Sequence, residues 1–261
     1  MDWNNLLITG AILSVIIIAR YFAIAGFFYW ILWKCPGNPL KAHKLTDIVP
    51  PAKLIRSEIR WSLSASVIYA IPAAIVIEAW KIGGTALYSD VGDYGWPYFF
   101  LSILLYLFIH DTYFYWTHRL MHRPAIFRVL HKVHHESRQP TPWAGFSFHP
   151  WESIVGAIIL PVLVFFIPIH VGAILFILAL MTVVSVTNHS GYEILPEAWL
   201  KGFGGRHWIS AAHHNLHHLN YRCNFALYFR FWDKLMGTDE FESAYEFLNK
   251  KQGTWQANTI Q

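Results

Sequence analysis

The sequence predicts an all-α integral membrane protein of about four transmembrane helices, with a cytoplasmic, helical, histidine-rich cap. Three observations predict it. Charged residues make up 14% of the 261-residue chain and hydrophobic residues 55%, whereas a soluble domain carries about a quarter charged residues. Several apolar stretches are long enough to cross about 30 Å of hydrocarbon. Histidines number fifteen against sixteen acidic residues, and most stand in short clusters.

Residues 6–33 form the first expected span, almost wholly apolar with Arg20 as their one charge. The residues before them lack a basic n-region and the apolar run exceeds an h-region, so a membrane helix is expected rather than a cleavable signal. Arg20 has two readings: a functional charge within a span, or a side chain that faces the bundle or snorkels. Residues 61–80 form the second span. The third begins at Pro97 and runs past Ile109 into the histidine-bearing segment 110–122. Residues 153–187 carry no charge over 35 positions and contain Pro161, Pro168, His170 and Gly172, which fits a helical hairpin better than one long helix.

The loops set an orientation. Lys34, Lys41, Lys44, Lys53, Arg56 and Arg60 lie between the first two spans, whereas the next loop sets one Lys, Lys81, against Asp90 and Asp93. By the positive-inside rule the basic loop is cytoplasmic, and the third span then delivers its histidines to that same side. The hairpin enters and returns there, so every histidine cluster shares one face. A net charge of +4 without a basic stripe gives no reason to expect a nucleic-acid partner. Cys35 and Cys223 stand far apart, which excludes a disulfide framework and a thiolate zinc site.

The histidines carry the chemistry. On the third helix, His118 and His122 lie about 40° apart, and His110 falls within a sector of about 120° holding all three. His131, His134 and His135 form an i, i+3, i+4 set, and His214, His217 and His218 repeat it. Isolated His149 and His189 flank the uncharged hairpin, each a ligand or an orienting donor, with His189 the better ligand candidate. Neutral imidazole suits iron, zinc, copper and nickel. Histidines at i+3 and i+4 can reach two neighbouring ions, so these segments can hold a pair of metals with positions left open. Without metal, the same crowding would bury many polar rings needing partners. His43 and His170 read as packed or surface residues, and the roles of His207 and His213 are open. Asp111, Glu136, Glu152 and Glu193 adjoin histidines and either orient them or lie at the surface.

The boxes His118-Arg-Leu-Met-His122, His131-Lys-Val-His134-His135 and His214-Asn-Leu-His217-His218 resemble, in that order, those of the fatty acid hydroxylase/sterol desaturase superfamily. Finer detail is similar to its sterol C5-desaturase branch: His110-Asp-Thr-Tyr-Phe-Tyr-Trp, the run from Pro140 to Pro150, Asn188-His189-Ser-Gly, and Trp232-Asp-Lys-Leu-Met-Gly-Thr238. The chain reads Asn224-Phe225-Ala226 where related sequences tend to read Asn-Tyr-Gly. The resemblance implies two iron ions, with zinc as a substitute in purified protein, and O2 as cosubstrate. It implies hydroxylation or desaturation of an alkyl position in a sterol, fatty acyl or related membrane lipid. It also implies a separate electron donor, such as a cytochrome b5-like protein or a ferredoxin and its reductase. The expected metal ligands are His110, His118, His122, His131, His134, His135, His189, His214, His217 and His218. No catalytic residue is expected beyond the metal centre.

The expected organisation is membrane helices and loops over 1–99, a catalytic unit over 100–240 that includes the hairpin, and a polar tail over 241–261. The compact chain shows no ER-retrieval tail, which favours a bacterial inner membrane over the ER. The alternative is a membrane metal- or haem-binding protein of electron transfer or transport. A haem protein would pair histidines inside separate spans, however, and a transporter would place carboxylates at the bilayer midplane. No His-Glu-x-x-His occurs, which disfavours a zinc protease.

Overall fold

The computed structural model describes residues 2–240; the tail expected over 241–261 lies outside the described residues. The first helix, α1 (Trp3–Tyr29), starts at Asp2, whose side chain caps the Asn4 N–H at 3.0 Å, and closes in a π-helical turn, Trp30–Lys34. The second, α2 (Ala52–Lys81), returns alongside it and carries Pro72 within its length. Its contact with α1 is close because the facing residues are small: a Cβ on Gly10 would lie 3.8 Å from that of Ala74. The third helix, α3 (Gly95–Met121), is continuous from the apolar span into the first histidine box, as the sequence indicated.

Two short helices follow, α4 (Pro124–Leu130) and α5 (Lys132–His135), with His131 at their junction. The uncharged stretch is the expected hairpin, α6 (Pro150–Phe166) and α7 (Val171–Asn188). Its turn is not where every breaker stands. Pro161 sits inside α6, and the chain reverses at residues 167–170, where Ile169–His170 pairs in parallel with Leu87–Tyr88. An intramembrane proline is tolerated because packed neighbours satisfy the freed carbonyl. Four further short helices complete the cap: α8 (Glu197–Lys201), α9 (Phe203–His207), α10 (Ala211–Asn220) and α11 (Phe231–Leu235).

Among the described residues four helices are long and apolar enough to cross a membrane, namely α1 with its terminal turn, α2, α3 and α7. Large apolar side chains such as Leu7, Val15, Leu104 and Leu175 point outward along them, the arrangement expected of a surface facing lipid. The inner faces build two cores. One joins Tyr106 and Leu107 to Leu160, Leu163, Val164, Ala173 and Ile177, while the other joins Ile17, Tyr21 and Ala25 to Ala70, Phe146 and Val186.

The segment 137–146 ties the bundle to the cap. Glu58, fully buried in α2, accepts hydrogen bonds from Ser137 (2.7 Å) and Thr141 (2.5 Å), and the Trp143 carbonyl accepts from Tyr21 (2.8 Å) and Ser62 (3.0 Å). Gly145 then packs directly on the α7 backbone, where an added Cβ would stand 3.1 Å from both Cα and N of Val186. Its carbonyl accepts from Ser185 at 2.6 Å. Because the obstructing atoms are main chain, Gly145→Ala is expected to destabilise the protein by about 1–3 kcal/mol. That corresponds to a fall in Tm of several degrees, measured by thermal unfolding in detergent.

Candidate metal centre

Nine histidines converge at one end of the bundle. Nitrogens of His118, His122, His131, His135 and His217 lie within 4.8 Å of one another, and those of His134, His189, His214 and His218 form a second group of the same tightness. The rule that sorts them is helical. Rings at i and i+4 enter the same group (His118 with His122, His131 with His135, His214 with His218). The ring at i+3, His134 or His217, crosses to the other. Each of the two three-histidine boxes therefore gives two rings to one group and one to its neighbour, while the His118–His122 box gives both of its rings to the first group. His189, just past the end of α7, completes the second group.

His110 lies outside both groups. The angular argument placed it on the right face of α3 but ignored the rise, since eight residues separate it from His118 by about 12 Å along the axis. Its ring packs instead against Tyr228, with centroids 5.6 Å apart. The remaining histidines have local roles. His149 and His170 accept N–H bonds at the starts of α6 and α7, His43 approaches the Glu193 carbonyl, His207 stacks on Phe203, and His213 shares a capping box with Ser210 on α10.

Inside each group the Nε2 atoms face one another at about the distance of a hydrogen bond. The first group has His118–His131 at 3.0 Å, His131–His135 at 3.1 Å, and His122–His135 and His135–His217 at 3.2 Å. In the second, His134–His189 is 3.1 Å, His189–His214 is 2.9 Å and His214–His218 is 3.1 Å.

The opposite ring nitrogens decide what these contacts are. His118 Nδ1 donates to the Phe225 carbonyl (2.7 Å), His217 Nδ1 to that of Cys223 (2.7 Å), His189 Nδ1 to that of Ser185 (2.6 Å) and His134 Nδ1 to that of Ser147 (3.3 Å). His131 Nδ1 meets the Glu152 carboxylate at 2.6 Å. A carbonyl only accepts, so these rings carry their proton on Nδ1 and turn a lone pair inward on Nε2. Burial and the neighbouring rings hold His131, His134, His135, His214, His217 and His218 well below the usual histidine range, and burial holds His189 down to about 4. The rings are neutral. In the second group His134 and His189 thus oppose lone pair to lone pair at 3.1 Å. An unpartnered buried polar atom costs about 1–3 kcal/mol, and a shared cation removes the conflict. The donors fit a metal in both groups.

The supporting contacts come from few positions. Of the four acids beside histidines, Glu152 alone reaches a ring. Asp111 accepts from the backbone N–H groups of Leu227 (3.0 Å), Tyr228 (2.7 Å) and Phe229 (3.4 Å), and Glu193 accepts from Ala212 at the start of α10, while Glu136 is exposed. Asp233 accepts from Phe225 and Ala226, both at 2.9 Å, and from Thr238 at 2.8 Å. Asp111 and Asp233 together fix the strand-like segment whose carbonyls hold His118 and His217. The Asn224-Phe225-Ala226 and Trp232–Thr238 motifs marked that segment in the sequence but not its role, because a backbone carbonyl leaves no residue-type signal.

The family model for fatty acid hydroxylases matches residues 103–238. The chain belongs to the fatty acid hydroxylase family. Its relatives include members of the sterol C5-desaturase branch. A Delta(7)-sterol 5(6)-desaturase of Gibberella zeae is 34% identical over 156 residues, 60% of this chain and 47% of that protein. A second, from Aspergillus fumigatus, is 31% identical over 204 residues, 70% of this chain and 62% of that protein. Lathosterol oxidase of Rattus norvegicus is 28% identical over 194 residues, 74% of this chain and 63% of that protein. The chain therefore spans between about half and just under two thirds of the length of these relatives. No solved structure matches it. In this family member, Glu152→Gln is expected to weaken metal retention about 10–100-fold by loosening His131. Stripping metal with a chelator is expected to lower Tm in the same thermal assay. Metal analysis by mass spectrometry before and after dialysis checks the first, and an unchanged Tm would contradict the second.

Proposed function

We propose that this chain is an O2-dependent di-iron oxidase that hydroxylates or desaturates an alkyl C–H position of a membrane lipid. The observation that carries the reading is the pair of all-imidazole groups, held neutral and inward-facing, at the end of a bundle with a lipid-facing surface. Five nitrogens in one group exceed the tetrahedral set of a structural zinc, and both groups leave positions free on an octahedral ion. That favours iron, with zinc as an occupant of purified protein. Bound there, the metal pair would supply reduction of O2 and cleavage of the C–H bond.

The chain's own residues do the rest. The nine histidines hold the pair, the carbonyls of Phe225, Cys223, Ser185 and Ser147 with Glu152 aim the rings, and the buried cap keeps water away from them. No side chain is asked to act as a base. The names of the relatives favour a sterol as substrate, and the family match over 103–238 fits a catalytic unit of 100–240. Electrons would come from a separate donor, a cytochrome b5-like protein or a ferredoxin system. Exposed Arg123, Lys132 and Arg138 beside the first two boxes suit an acidic partner. The basic loop between α1 and α2 supports a cytoplasmic cap. These fungal and mammalian relatives lend no support to the bacterial inner membrane expected from the sequence.

Lipids of cells with and without the protein, compared by mass spectrometry, are expected to differ in one class by a gained oxygen atom or a lost pair of hydrogens. His134→Ala and His217→Ala, one from each group, are each expected to abolish that difference while the chain still inserts. Full lipid oxidation in either variant would overturn the reading.

A further inference from the structure

Two aromatic rings outside the histidine boxes lie over the first group. Phe127 of α4 and Tyr221 at the end of α10 stand 5.7 Å apart, centroid to centroid. Phe127 is 5.5 Å from His122 and 5.6 Å from His135, while Tyr221 is 6.3 Å and 4.6 Å from the same two rings. His122, Phe127 and Tyr221 are partly exposed, and His122 is the one ring of the nine that is not buried. The four rings of the second group are all buried. The histidine groups therefore meet the surface of the cap at Phe127 and Tyr221.

Tyr221 holds its place against its backbone preference. It caps the C-terminus of α10 with φ at +62°, where glycine is the usual residue, and its N–H bonds the His217 carbonyl at 2.8 Å. Among the described residues only Tyr221 and Asn224 enter positive φ without being glycine, and asparagine tolerates that region. A bulky side chain kept in a strained cap points to a use for its ring rather than for the turn.

Charge indicates the use. Arg123 and Arg128 flank Phe127 in the chain, Lys132 opens α5 and Arg222 follows Tyr221, and all four are exposed. Over residues 118–138 and 213–223, five Arg and one Lys stand against a single acid, Glu136. An aromatic centre with a charged rim is the anatomy of a protein docking site, and the sign of this rim selects an acidic partner.

We propose that an acidic one-electron carrier protein docks on this patch, and that its electrons reach the metal pair at the first group, across Phe127 and Tyr221. The inference rests on the lipid-oxidase reading and adds where the donor sits and which group receives the electron. Each transfer oxidises the carrier by one electron and reduces the metal held by the first group by one.

The test uses the full chain, iron-loaded, in phosphatidylcholine nanodiscs under argon. Two acidic carriers serve as probes, the haem domain of a cytochrome b5 and a ferredoxin, with cytochrome c as a basic control. At least one acidic probe is expected to bind, to weaken about tenfold or more between about 20 and 200 mM salt, and to be reoxidised by the chain. Cytochrome c is expected not to bind. Arg128→Glu combined with Lys132→Glu is expected to raise the probe concentration for half-maximal reoxidation about tenfold and to leave the saturated rate unchanged. Arg206→Glu, at an exposed cation on α9, is expected to stay within about twofold of the wild type. Tyr221→Gly suits the left-handed cap, so Tm is expected to hold or rise while the saturated rate falls severalfold; Tyr221→Phe keeps the wild-type rate. Iron content and reduction by dithionite are expected to stay unchanged in every variant. Should Tyr221→Gly lose iron, Tyr221→Asn, which also fits that cap, replaces it.

Failure of both acidic probes to bind, an equal loss in Arg206→Glu, or a wild-type saturated rate in Tyr221→Gly would each overturn the proposal. The last outcome would leave the two rings a shield against water only. A chain that takes electrons here yet oxidises no lipid would sink the oxidase reading and leave this one standing. Lipid oxidation driven by dithionite, with no acidic probe bound, would do the reverse.

Discussion

Everything in the cap depends on where the imidazole protons sit. A ring that donates from Nδ1 to a fixed carbonyl has one lone pair left, and the fold turns that lone pair inward on Nε2. Repeated around two adjacent groups, this produces a cavity of neutral nitrogens that repel one another until a cation joins them. The surrounding elements serve that constraint. Asp111 and Asp233 hold the segment bearing the Phe225 and Cys223 carbonyls. Ser185 is held by Gly145, and its own carbonyl holds His189. Glu58 and Tyr21 fix the loop that carries Gly145.

Much of this was legible in the sequence, and the reasons are physical. Spans declare themselves by apolar length, so the four long helices, the run-on of α3 through its histidine box and the hairpin were all expected. Box spacing declares the metal groups because 3.6 residues per turn place i and i+4 together and i+3 to one side. The rest failed where the controlling quantity is not periodic. His110 matched the angular pattern and missed on axial rise. Pro161 looked like a breaker, yet packing inside a bundle overrides propensity there. The orienting carbonyls belong to Phe225, Cys223, Ser185 and Ser147, residues with no chemistry of their own to attract notice.

His110 and Tyr228 illustrate the difference between clustering and use. A buried histidine beside a metal centre reads as a ligand when only its spacing is visible. Once its neighbours are known, its ring is found packed on Tyr228 and outside both groups.

The exchange of rings between boxes has a consequence for how the protein is made. Both groups draw on the box after α4 and on α10, the first adding rings from the end of α3 and the second His189, so they span the sequence from His118 to His217 and from His134 to His218. Neither group can close on a nascent chain until α10 has left the ribosome, by which time α1, α2, α3 and α7 have been synthesised. The two groups therefore close within one shared framework rather than as independent pockets, and until a cation enters, the folded cap carries two self-repelling clusters.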